Sequence, residues 1–150
     1  MTALALDGTS PLDLGAVTEV FGIDRGLAPQ WYDFSVCGQQ RGRLDTRGGL
    51  RLTVDRGLDE LAAADTIIVL PVARFIRERP ADAVLAALAA ASARGSRLVS
   101  LCLGAFVLAA AGLLDGRRPP RTGRTAAPLA RLTRRSRWSP TCSTSTKATS

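Results

Sequence analysis

Arg97-Leu98-Val99-Ser100-Leu101-Cys102-Leu103-Gly104-Ala105-Phe106-Val107-Leu108-Ala109-Ala110-Ala111 is the stretch whose reading decides the fold. Its first five residues are an apolar run of strand character, and from Gly104 onward the composition is that of a helix. Only Cys102 and Leu103 separate the two, so the chain turns a tight strand-to-helix corner with a thiol at its apex. Such a corner exposes the side chain it carries, and the helix N-terminus behind it favours the thiolate. Backbone N–H groups of Leu103 and Gly104 are the candidate donors to an anion held there, Gly104 permitting close approach. A cysteine at an apolar strand end is also a common small core residue, and that alternative stands beside the first. The chain contains no histidine, so the usual base for a nucleophilic cysteine is missing.

Upstream, strand-like and helix-like segments alternate. Thr2 to Asp7 reads as a first strand, ended by Asp7-Gly8, with Ser10-Pro11 as helix-starting residues. Leu14, Val17, Val20 and Phe21 recur at helical spacing and predict a helix from Pro11 to Gly22. Tyr32 to Cys37 is a second strand, and Arg43-Leu44-Asp45 with Leu50 to Val54 makes a hairpin around Gly48-Gly49. A short helix is expected over Leu58 to Ala62. Thr66-Ile67-Ile68-Val69-Leu70 is the strongest strand, an unbroken apolar run of the kind buried on both faces of a parallel sheet. Pro80 is expected to open an alanine-rich helix that runs to Ala93 and stops at Gly95. This rhythm predicts an α/β fold with a doubly wound, mostly parallel sheet, whose ligands sit at the carboxyl ends of the strands. Cys102 and the loop after the first strand both lie at that edge.

Composition narrows the function classes. At 150 residues, with 46% hydrophobic and 22% charged residues, the chain is sized for one folded domain. No apolar run approaches the roughly 20 residues needed to span a bilayer, and the N-terminus has no leader character. A cytoplasmic setting without membrane association is therefore expected. Cys37, Cys102 and Cys142 are expected to be free thiols. Their spacing fits no metal site, and no metal or cofactor is expected.

The residues 4–8 (Leu-Ala-Leu-Asp-Gly), 11–14 (Pro-Leu-Asp-Leu), 19–22 (Glu-Val-Phe-Gly), 65–71 and 98–109 together resemble the PfpI/ThiJ superfamily. The run Gly104 to Arg118, with Ala-Ala-Gly-Leu-Leu-Asp-Gly-Arg-Arg in it, resembles the N-terminal domain of GlxA-type regulators of the AraC class. The resemblance implies a flavodoxin-like, class I glutamine-amidotransferase-like domain over 1–117, with an elbow cysteine at Cys102 and an acidic partner at Asp13. It also implies a sensing role for a small-molecule ligand, or dimerisation as a homodimer. DNA would then be bound only by a separate C-terminal domain that this chain does not contain. Cys102 and Asp13 would serve as the catalytic pair in a cysteine-dependent hydratase, amidase or deglycase of the same superfamily. In a sensor they would line a ligand pocket with Leu103, Gly104 and Pro71. Asp13 also suits the first turn of its helix without any such role. Enzyme activity is the less favoured reading, because no histidine is present.

Two departures from the family pattern stand out. Superfamily members commonly carry Pro-Gly after the central strand, whereas Pro71 is followed here by Val72, whose bulk would reshape the site. GlxA-type sequences tend to continue after Gly-Arg-Arg with an Ala-Thr-Thr-His-Trp-like stretch, where this chain reads Pro119-Pro120-Arg121-Thr122-Gly123. If each codon is read from the third base of one present codon and the first two of the next, those positions permit Ala-Thr-Thr-His-Trp. The same shift over Pro140 to Ser150 permits Asp-Val-Leu-Tyr-Val-Asp-Glu-Gly-Asp-Val, a strand-and-turn segment of the kind these domains have next. Residues from about 118 on are accordingly expected to be out of frame, the fold being truncated on its C-terminal side. Charge agrees with a break there: residues 117–150 hold 9 basic and no acidic residues, whereas 1–116 hold 11 basic and 13 acidic. A tail of that composition over 118–150 is expected to be disordered and to touch nucleic acid only weakly and without sequence preference.

Overall fold

The computed structural model describes residues 1–24, 26, 32–115 and 129. Its main sheet has four parallel strands: β1 (Thr2–Leu4), β2 (Ser35–Cys37), β5 (Thr66–Val69) and β6 (Arg97–Ser100), in the order β2-β1-β5-β6. A separate antiparallel hairpin pairs β3 (Gly42–Asp45) with β4 (Arg51–Val54). The helices α1 (Pro11–Phe21), α2 (Asp82–Ala93) and α3 (Gly104–Ala110) pack around these strands among the described residues. The α/β, mostly parallel architecture expected from the sequence is the one observed.

Alternation along the strands makes two cores, one on each face of the sheet. Leu4, Ile67 and Val69 point to the face covered by α2 and α3, where they meet Val84, Leu88, Phe106 and Val107. Ala3, Ala5, Ile68 and Leu70 point to the other, where Val17 of α1 and Leu44 and Val54 of the hairpin close over them. All four residues of β5 are buried, as an unbroken apolar run demands of a central strand. Phe106, 1% exposed, is the largest fully buried side chain, and with Val107, Leu108 and Ala109 it packs α3 into the core against the sheet.

Several boundaries move. α1 opens as expected, with Ser10 accepting a hydrogen bond from the Asp13 N–H and Pro11 at the first helical position. The helix expected from Pro80 begins at Asp82, because Ala81 remains extended at ψ 141° and serves as the N-cap. The short helix expected over Leu58 to Ala62 is present with those bounds as a 3₁₀ helix, and a second 3₁₀ turn, Ala73–Ile76, carries no signal in the sequence. It is bound by the buried Phe75, whose apolar signal is too short to show a period. In the hairpin turn Gly48 and Gly49 have φ of 91° and 86°, the left-handed values that select glycine there. The tail expected over 118–150 lies outside the described residues apart from Leu129, which is 3% exposed and belongs to the core beneath α2 and α3.

Candidate functional site

The strand order reverses between β1 and β5: from β1 the chain moves to β2 on one side, while β5 lies on the other. In an open α/β sheet the crevice at the carboxyl ends of such a pair is the place for a ligand. Three segments converge on that edge, the loop from Ala5 to Ser10, the segment after Val69 and the corner after Ser100.

The corner is an elbow in its backbone geometry. Cys102 has φ 44°, the one non-glycine residue with positive φ among those described, and its side chain is exposed. A left-handed residue with a Cβ is strained by an amount of order 1 kcal/mol, so the surroundings must hold it there. They do so through β5. The Leu101 N–H donates to the Val69 carbonyl at 3.1 Å, which keeps the chain in the sheet up to the corner. One turn later, a Cβ on Gly104 would lie 2.2 Å from that same oxygen, so only glycine lets α3 begin where it does. The Gly104 N–H donates to the Leu101 carbonyl at 2.8 Å. That amide, expected from the sequence to face an anion, is engaged within the corner itself.

The loop after β1 is held by a residue that sequence reasoning missed. Thr9 is fully buried, and its hydroxyl oxygen accepts from the Leu6 N–H at 3.0 Å. Its carbonyl accepts from the Arg47 N–H at 3.0 Å, and its backbone bridges to Val72 across the switch point. The only signal available was a threonine three residues after an apolar strand end, a spacing at which the hydroxyl can return to the backbone. Pro71 and Val72 are both buried. A Cβ on Gly8 would sit 3.3 Å from Val72 Cγ1, so the valine fills the gap between the loops after β1 and β5. The hairpin adds its own tie: the Asp45 N–H donates to Asp7 Oδ1 at 3.1 Å, and the Gly8 N–H to the Asp45 carbonyl at 2.7 Å. Asp45 in turn is held below the usual carboxylate range by its hydrogen bond from Arg43.

Cys102, Leu103 and Gly104 follow the end of β6, Pro71 follows the end of β5, and Asp13 lies in the first turn of α1 after the loop from β1. Asp13, half-buried in the first turn of α1, is tied to Ser10 through its backbone, and no hydrogen bond joins its carboxyl to the Cys102 thiol. Neither of two described cavities is lined by any of the five. One, about 180 Å³, lies among Asp7, Gly38, Gln39, Gln40, Arg43 and Leu44. The other, about 290 Å³, lies between the 73–76 turn with its following arginines and the end of α3. Among the described residues no cluster of histidine, cysteine and acidic side chains is suited to a metal ion, and no helix is long and apolar enough to cross a membrane.

Comparison with known proteins bears on this edge. No family model matches the chain. An uncharacterized Streptomyces lividans protein from the cpoL 5′ region is 34% identical over 132 residues, which cover 87% of this chain and 92% of that protein. The HTH-type transcriptional regulator GbdR of Pseudomonas aeruginosa is 32% identical over 117 residues, 75% of this chain. The match spans only 31% of that regulator's length. Among solved structures, an AraC family transcriptional regulator from Pseudomonas putida superposes with a TM-score of 0.73 at 21% identity, covering 93% of this chain and 76% of the other. A DJ-1 superfamily protein from Salmonella typhimurium gives 0.66 at 18% identity, covering 92% and 72%. A ThiJ/PfpI family protein from Pseudomonas syringae gives 0.63 at 20%, covering 79% and 48%. The chain therefore belongs to one family with the Streptomyces lividans protein, and its fold is the flavodoxin-like fold of the ThiJ/PfpI and DJ-1 superfamily, shared with an AraC-family regulator.

Proposed function

We propose that this chain is the front part of a ligand-sensing or dimerisation domain from a GlxA-type transcriptional regulator of the AraC family. The observation that carries the reading is the superposition of 93% of the chain on an AraC family regulator, joined to the sequence match with about a third of the regulator GbdR. The ligand is a small molecule, received at the switch point beside Cys102, with Asp13, Leu103, Gly104 and Pro71 around it. DNA is bound by a further domain, encoded beyond the frame break placed near residue 118. The setting is the cytoplasm, where Cys102 stays reduced.

Two measurements test this. The nucleotide sequence across codon 118 and downstream should spell Ala-Thr-Thr-His-Trp in the shifted frame, followed by a helix-turn-helix; codons that cannot do so remove both the frame break and the regulator reading. A panel of amino acids and small carboxylates, screened for slowing the alkylation of Cys102, should contain a protecting compound; uniform reactivity across the panel argues against a ligand at the elbow.

A second reading, a stand-alone cysteine-dependent hydratase, amidase or deglycase, is favoured by one feature, the φ of 44° that presents Cys102 as a nucleophile elbow does. Turnover of an amide or a glycated substrate that Cys102→Ser abolishes would select it, as would a stop codon soon after the restored domain.

A further inference from the structure

We propose that the cavity among Asp7, Gly38, Gln39, Gln40, Arg43 and Leu44 binds a small zwitterion, its ammonium group received by Asp7 and its carboxylate by Arg43. The site is separate from the one at the elbow and does not depend on it.

The cavity lies at the carboxyl edge of the sheet, on the side of the switch point away from Cys102. Asp7 follows β1, Gly38 follows Cys37 at the end of β2, and Arg43 and Leu44 belong to β3. A Cβ on Gly38 would lie 2.8 Å from the Gln40 carbonyl oxygen and 2.9 Å from Val54 Cγ2. Glycine therefore lets the turn after β2 fold tightly against the hairpin, and that turn sets Gln39 and Gln40 beside the two charged residues.

One residue orients both charges. The Asp45 N–H donates to Asp7 Oδ1 at 3.1 Å, while Asp45 Oδ1 accepts from Arg43 Nε at 2.9 Å and pairs with Nη2 of the same guanidinium at 2.9 Å. The bond to Asp45 is the first cause that raises the Arg43 pKa, and the nearby charge of Asp7 adds to it. No ion pair closes between Asp7 and Arg43 themselves. Asp7 Oδ2, Arg43 Nη1 and the carboxamides of Gln39 and Gln40 meet no partner among the described residues. A carboxylate and a guanidinium held apart at one cavity complement a molecule that carries both charges.

Net charge and size narrow the class further. Arg51 Nε stands 3.7 Å from Asp45 Oδ1, so the carboxylates of Asp7 and Asp45 are balanced by the guanidinium groups of Arg43 and Arg51. A ligand with no net charge preserves that balance. The volume of about 180 Å³ is that of roughly six waters at about 30 Å³ each, and falls short of the roughly 300 Å³ at which pockets for drug-sized ligands begin. A nucleotide or a flavin is too large for it, and a compact amino acid is not.

The test titrates the whole isotope-labelled chain with L-alanine, β-alanine and 4-aminobutyrate, which are of that size and differ in the spacing of their charges. At least one should shift the backbone amide signals of Gly38, Gln39 and Gln40 to saturation, and should bind about tenfold or more tighter than propionate or propylamine, which carry one charge each. Asp7→Asn keeps the side chain's shape and an acceptor for the Asp45 N–H. It should abolish the preference over propionate while leaving propionate's own affinity unchanged. Arg43→Gln should abolish the preference over propylamine, with circular dichroism confirming the fold; a purely structural role for these residues would not divide the effect between the two analogues. The compound that saturates these signals should leave Cys102 alkylation unslowed, so failure here and failure at the elbow are read separately. The proposal is overturned by the lack of any saturable shift at residues 38–40, by equal binding of propionate or of the uncharged polyol erythritol, or by a preference that survives Asp7→Asn.

Discussion

Cys37 and Cys102 both stand at the carboxyl edge of the same parallel sheet, at the ends of β2 and β6, and they are opposites in chemistry. Cys37 is the last residue of an extended strand and is fully buried, its side chain in the core with Leu4 and Leu61. Burial, then the charges of Glu60 and Asp59, push its thiol up to about 12. Cys102 lies beyond the last residue of its strand, turned outward at φ 44°. Place on the sheet edge therefore decides little; the backbone angle at the cysteine decides which thiol meets solvent.

The largest expected effect tests that contrast directly. In a Cys142→Ser chain at neutral pH, iodoacetamide should modify Cys102 in the folded state, while Cys37 reacts only on unfolding. A thiolate fraction falls about tenfold for each unit of upward displacement, so Cys37 should react roughly a thousandfold more slowly folded than in urea. Peptide mapping of the labelled chain reads both rates, and equal labelling of the two cysteines in the folded chain would break the comparison.

Gly104→Ala sharpens it from the elbow's side. The added Cβ would lie 2.2 Å from the Val69 carbonyl oxygen, which belongs to the backbone of the central strand and cannot swing away. A loss of about 3 kcal/mol in urea unfolding is expected, together with a changed alkylation rate at Cys102, because α3 must retreat from β5.

From the Cys37 side the expectation is a pH dependence. The folded thiol keeps its proton to about 12, whereas a free thiol loses it near 9.0. Above pH 9 the unfolded state therefore binds fewer protons than the folded one, and stability falls as pH rises through that window by up to about 1.4 kcal/mol per unit. Below pH 9 the contribution is complete. Cys37→Ala should flatten the alkaline limb of a stability–pH curve relative to the unaltered chain, and parallel curves would remove the burial argument.

Much of this was legible in the chain because the signals were long or stereochemically exclusive. The unbroken Thr66 to Leu70 run could only be a strand buried on both faces, and Arg97 to Ala111 showed the corner and its cysteine. The mostly parallel sheet followed from alternation alone. Thr9 was not legible, since its role is a hydroxyl returned to Leu6 and a bridge to Val72, contacts that leave no period in sequence. The use of the Gly104 N–H within the corner was hidden for the same reason, being a consequence of how tightly α3 meets β5. Asp13 was located correctly on its helix, but its capping geometry and its family-implied partnership with Cys102 look identical in sequence.

The smallest expected effect separates strain at the elbow from packing. At φ 44° a residue with a Cβ carries about 1 kcal/mol of strain that glycine does not. The Cys102 side chain is exposed and contributes little burial in return. Cys102→Gly should therefore raise stability, by about 1 kcal/mol less the few tenths that glycine's added freedom in the unfolded chain takes back. Cys37→Gly, made in an extended, buried strand, should lower it by more than that. Urea midpoints of the two variants against the parent read the difference. A loss of stability at Cys102→Gly would mean that the thiol packs rather than strains, and the elbow would then be a feature of folding with no tension held for a ligand or a substrate.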